Sequence, residues 1–118
     1  IEAALKKAGY NNLTFKNNGQ EAWDFLVKVR SDSDLNKKVG LIITDIEMPE
    51  MDGHRLTKLV KEDKNLKHIP LVIFSSMINQ ELMIKGKQLG ADEQLSKPEI
   101  GHLVEVIDHL LQRREKNG

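Results

Sequence analysis

The chain has 118 residues, 39% hydrophobic and 31% charged, the composition of one soluble globular domain with enough apolar side chains for a core. Lysine plus arginine and aspartate plus glutamate both number 18, so no charge excess points to nucleic acid. Cysteine is absent, which excludes disulfides and thiolate zinc sites; no apolar run approaches the ~20 residues of a membrane helix and no leader is evident, so the reading is a cytoplasmic protein with no membrane insertion.

Helical and strand patterns then alternate along the chain. Residues 1–8 are helix-prone and stop at Gly9. Leu13-Thr14-Phe15 reads as a short strand before the turn residues Asn17-Asn18-Gly19. Ala22, Phe25, Leu26 and Val29 mark one helical face, with Trp23 on its flank, and the polar segment 31–38 reads as a loop. Leu41 to Thr44 is a strand, and Leu56, Leu59 and Val60 stripe the helix that follows. After Pro70, Leu71-Val72-Ile73-Phe74 is short, continuous and β-prone, as a strand buried on both faces should be. Asn79 and Gly90 bracket a further helix. A weak strand at 94–96 precedes the last helix, striped by Ile100, Leu103, Val104, Ile107 and Leu111.

This alternation predicts an α/β fold, a doubly wound parallel sheet covered on both faces. It opens on a helix, so the pattern also calls for a strand and a loop upstream of Ile1. Ligands of such sheets collect at the carboxyl edge of the strands. Three polar residues follow strand ends there: Asp45, Ser75 and Lys97. A carboxylate can act as a nucleophile, a hydroxyl can hydrogen-bond a phosphoryl oxygen, and an ammonium can neutralise its charge.

The stretch "LIITDIEMPEMDG", the strand ending "VIFSS", the "LGAD" turn and "SKP" resemble the receiver domain of two-component response regulators, the CheY-like (βα)5 fold, across nearly all of residues 1–118. "FSSMI" and "ADEQLSKPEIG" are similar to the receiver module of CheV-type chemotaxis coupling proteins, in which a CheW-like domain lies upstream. The resemblance implies that Asp45 accepts phosphate from a histidine kinase or a small phosphodonor. It implies that Ser75 is the switch hydroxyl, that Lys97 pairs with the phosphoryl group, and that Lys97-Pro98 is cis. It also implies that Glu47 offers its backbone carbonyl to Mg²⁺ beside Asp45, and that Met48-Pro49 and Asp52-Gly53 shape the loop. The partners implied are the kinase and chemotaxis or other signalling proteins met by the last helices and strands.

Two departures qualify that likeness. In the family the strand before the first helix ends in paired acidic residues that supply most of the metal site, and the sequence given starts after that strand. Mg²⁺ binding, phosphate acceptance and folding are therefore all expected to be weak for these 118 residues. Gln94 also stands where many receivers carry an aromatic switch residue on the last strand.

Bland readings stand beside the functional ones. Asp45 would serve as a turn starter, and Ser75 and Lys97 as ordinary surface residues, were each met alone. His54, His68, His102 and His109 show no ligand spacing and read as surface residues. Met48, Met51, Met77 and Met83 read as loop and helix packing, and 113–116 as a solvated helix end. The leading function is a phosphorylation-dependent signalling switch, not an enzyme beyond taking up and losing its own phosphoryl group. A pseudo-receiver that binds partners without phosphate is the alternative. A haloacid-dehalogenase-type phosphohydrolase is remote, because it needs a second Asp where Glu47 stands.

Overall fold

The run Leu71 to Ser75 forms the middle strand of the sheet, and burial at every position accounts for the lack of alternation in its sequence. The structure, a computed structural model, describes residues 1–47, 51–76 and 78–117. In chain order it contains α1 (Glu2–Lys7), α2 (Gly19–Val29), α3 (Leu35–Lys38), β1 (Ile42–Thr44), α4 (Gly53–Glu62), β2 (Leu71–Ser75), α5 (Gln80–Leu89) and β3 (Glu93–Ser96). A 3-10 turn (Lys97–Glu99) then leads into α6 (Ile100–Asn117). The strands run parallel in the order β1-β2-β3, with Ile42 opposite Leu71 and Ser75 opposite Ser96.

Alternate residues of β2 face opposite sides of the sheet. Leu71 and Ile73 pack with Leu26 and Val29 of α2 and Leu56 and Val60 of α4. Val72 and Phe74 pack with Leu5 of α1, Leu95 of β3 and Leu103, Ile107 and Leu110 of α6. Both faces are thus covered, as the alternation predicts. Helix starts follow the capping chemistry: Asn18, Asp52 and Asn79 accept from the backbone N–H groups of Glu21, Arg55 and Leu82. The chain leaves α1 and α5 through left-handed glycines, Gly9 at φ 99° and Gly90 at φ 102°.

Residues 13–15 depart from expectation, since they form no strand. A strand exists through its neighbour, and no described residue pairs with residues 13–15 or with the second edge of β1. Between them lies a cavity of about 720 Å³, lined by Leu13, Phe15, Ile43, Phe74 and Ile107 among others, and Phe15 is 55% exposed. Segment 31–38 is also more ordered than its polarity suggests. It contains the single turn α3, whose Leu35 is buried. Trp23 is partly buried against the core, as its flanking position implies, and so is Met51. Met48 and Met77 lie outside the described residues.

Leu103 is fully buried against β2 and β3, whereas Ile84 on α5 is 51% exposed. Leu103→Ala is expected to lower unfolding free energy by about 2–5 kcal/mol, and Ile84→Ala by less than about 0.5. Denaturant midpoints at unchanged slope measure both.

Candidate functional site

Three parallel strands end at one edge of the sheet, and each delivers one polar side chain there. Asp45 follows β1, Ser75 closes β2 and Lys97 follows β3. The Lys97 Nζ lies 2.7 Å from Asp45 Oδ2, and the Ser75 hydroxyl hydrogen-bonds to the same carboxylate. The Ile46 N–H donates to Asp45 Oδ1 at 2.7 Å. The three residues singled out in the sequence therefore meet within hydrogen-bonding reach.

The backbone that holds Asp45 is itself fixed. Thr44 is buried and its hydroxyl donates to the Asp45 carbonyl at 2.9 Å. The Gly53 N–H donates to the Ile46 carbonyl at 2.9 Å, which folds the acceptor loop back onto the start of α4. Asp52 caps that helix, so Asp52-Gly53 shapes the loop as expected, while Met48-Pro49 lies outside the described residues.

Lys97 is aimed by a capping box that the resemblance alone does not use. The Ser96 hydroxyl and N–H both donate to Glu99 Oε1, at 2.7 and 3.0 Å. Its sequence signal is Ser-x-x-Glu at 96–99. The Lys97-Pro98 bond is not cis, because no cis peptide occurs among the described residues. Pro98 instead sits in the first turn of the 3-10 segment, where its fixed φ and missing N–H suit a helix start.

Burial pushes the Asp45 carboxyl upward, but the hydrogen bonds from Lys97, Ser75 and the Ile46 N–H, with the Lys97 charge, outweigh it and leave its pKa lowered. The carboxylate is ionised at neutral pH and its side chain is 25% exposed, so no plug of side chains covers it. An accessible anion flanked by an ammonium and a hydroxyl fits a nucleophile toward an electrophile that brings its own negative charge.

The donor set for Mg²⁺ is thin. Among the described residues no group of three His, Asp or Glu converges on a possible ion, and the Glu47 side chain is exposed. Asp45 and the Glu47 carbonyl would give two oxygen donors, short of the near-octahedral set that Mg²⁺ demands. The described residues by themselves do not fit the ion.

One reading of the histidines fails. His68, His102 and His109 are exposed, but His54 is only 4% exposed, in the first turn of α4. The missed signal is its spacing of three from Thr57 and six from Val60, both fully buried.

A sequence profile described as response regulator receiver domain matches residues 1–108. The chain belongs to the receiver domain family. This receiver is 36% identical over 112 residues to the gliding motility regulatory protein of Myxococcus xanthus, covering 95% of the chain and 13% of that protein. It is 32% identical over 94 residues to the chemotaxis protein CheV2 of Helicobacter pylori, covering 80% of the chain and 29% of CheV2. The signal receiver domain of a histidine kinase from Syntrophus aciditrophicus superposes with a TM-score of 0.77 at 29% identity, covering 94% of this receiver and 78% of that chain. This receiver thus spans less than a third of either relative's length. No helix among its described residues is long and apolar enough to cross a membrane.

Proposed function

We propose that this receiver is the phosphoacceptor module of a two-component or chemotaxis signalling protein and that Asp45 takes the phosphoryl group. The observation that carries the reading is the convergence of Lys97 and Ser75 on one accessible carboxylate. An Asp45 oxygen attacks the phosphorus of a kinase phosphohistidine or a small acyl phosphate. The new bond is an acyl phosphate, the donor's P–N or P–O bond breaks, and the leaving group takes the electron pair. Lys97 then turns from the carboxylate to the phosphoryl oxygens, and the Ser75 hydroxyl follows as a hydrogen-bond donor. Water attack on phosphorus returns inorganic phosphate and the free carboxylate.

Added negative charge at the edge of β1, β2 and β3 gives a partner something to sense, and the likeness to CheV2 favours chemotaxis proteins as that partner. The thin metal-donor set favours a second reading, a pseudo-receiver that binds its partner without phosphate.

Incubation with acetyl phosphate and Mg²⁺, followed by intact-mass and peptide analysis, separates the readings. The expected result is one phosphoryl group on the peptide containing Asp45, removed by hydroxylamine. An unmodified chain would favour the pseudo-receiver, and steady turnover of a simple phosphate ester would revive the hydrolase.

A further inference from the structure

Helix α5 packs on the sheet without a buried apolar side chain. Gly86 is its one buried residue, while Met83 is 42% and Ile84 51% exposed. Leu82 is its apolar anchor on the core, and polar contacts supplement it. On the sheet side, Gln94 of β3 donates from Nε2 to the Met83 carbonyl at 2.8 Å. The amide fits because Gly86 has no side chain: a Cβ there would fall 2.2 Å from Gln94 Oε1. On the α4 side, the buried ring of His54 hydrogen-bonds the main chain of Leu82, the residue before Met83. Both groups leave a buried atom, Gln94 Oε1 and His54 Nε2, with no hydrogen-bond partner among the described residues.

We propose that His54 and Gln94 form a two-point polar latch that holds α5 against α4 and β3, and that acidification opens it. A neutral imidazole tolerates burial with one bare nitrogen. Protonation gives both ring nitrogens an N–H, and Nε2 then becomes a charged donor with no acceptor among the described residues, a costly state for a buried group. The charges that act on the ring are Lys85 of α5, which opposes protonation, and Asp52 at the cap of α4, which favours it. From α2, which also packs on α4, no charged group among the described residues acts on it. Burial and Lys85 prevail over Asp52 and the hydrogen bond to the Leu82 main chain, so the ring's pKa is lowered. The element that yields is α5, which packs without a buried apolar side chain, carrying Met83 and Ile84 with it.

The sign follows from that lowering. The open state binds the proton better, so the latch is intact above the ordinary histidine value of about 6.5 and weakens as pH falls below it. One proton taken up on opening raises the open population by up to about tenfold per pH unit.

Amide hydrogen exchange on the whole chain between pH 7.5 and 5.0, corrected for intrinsic rates, tests this without any phosphodonor, so the outcome is independent of the role of Asp45. Protection of residues 83–89 is expected to fall by up to about tenfold per unit below pH 6.5 and to stay below that of Val72 and Ile73, which open only with the whole fold. His54→Gln should flatten that slope, and Gln94→Ala should lower protection of α5 equally at both pH values. Should His54→Gln fail to fold, the His54 ring resonance of the unsubstituted protein must titrate together with the α5 amides. Flat protection in the unsubstituted protein, a slope that survives His54→Gln, or an unchanged α5 in Gln94→Ala would each overturn the latch.

Discussion

Asp45→Asn is expected to abolish uptake of a phosphoryl group from acetyl phosphate, leaving no labelled peptide by mass analysis. The amide has no anionic oxygen to attack phosphorus, and the donors now aimed at Asp45, the Lys97 ammonium and the Ser75 hydroxyl, lose the charge they stabilise. The same substitution carries a pH signature. The lowered pKa of Asp45 means that its ionised form stabilises the fold above the ordinary carboxylate range, a contribution lost as pH falls through the native value. The stability difference between the unsubstituted protein and Asp45→Asn should therefore shrink under acid. It should also shrink in high salt, because Lys97 is half exposed. Persistent labelling in Asp45→Asn would move the acceptor to another residue and remove the basis for the proposed function.

How much of this was legible beforehand depends on whether a feature is local. The bracket of Asn79 and Gly90 around α5 is local chemistry, an N-cap oxygen and a left-handed glycine, and both ends fall where the sequence puts them. Asp45, Ser75 and Lys97 were readable because each follows an apolar run, and a parallel sheet carries all such ends to one edge. Residues 13–15 were not, because their alternation is right for a strand while the pairing that makes one is tertiary. The turn α3 is too short to show a period. His54 reads as a surface residue because histidine usually is, and its place on the buried stripe with Thr57 and Val60 is the signal that tells otherwise. Gln94 stands where many receivers carry an aromatic residue, yet its bond to the Met83 carbonyl depends on the gap at Gly86, which no spacing rule reveals.

Gly53→Ala should damage both stability and phosphate acceptance, although propensity argues the other way. Alanine is better than glycine in a helix by about 1 kcal/mol, and Gly53 is the first residue of α4. Sterics decide the matter. A Cβ on Gly53 would stand 1.8 Å from the Asp45 carbonyl oxygen and 3.1 Å from the Ile46 Cα, both backbone atoms with no rotamer to give way. The helix start and the acceptor loop would have to part by about 1 Å or more, straining the hydrogen bond from the Gly53 N–H to the Ile46 carbonyl. Crowding of this kind costs about 1–3 kcal/mol. A shift of about 1 Å in a reacting carboxylate lowers a rate by up to roughly 100-fold. Gly101, on the exposed side of α6, supplies the matched control: nothing lies within 4 Å of a Cβ there, so Gly101→Ala should stabilise the fold by about 0.5–1 kcal/mol and leave phosphorylation unchanged. Parallel melts and acetyl phosphate labelling of the two variants read both effects. Should Gly53→Ala behave like Gly101→Ala, the close approach of α4 to the Asp45 backbone is not what positions the nucleophile.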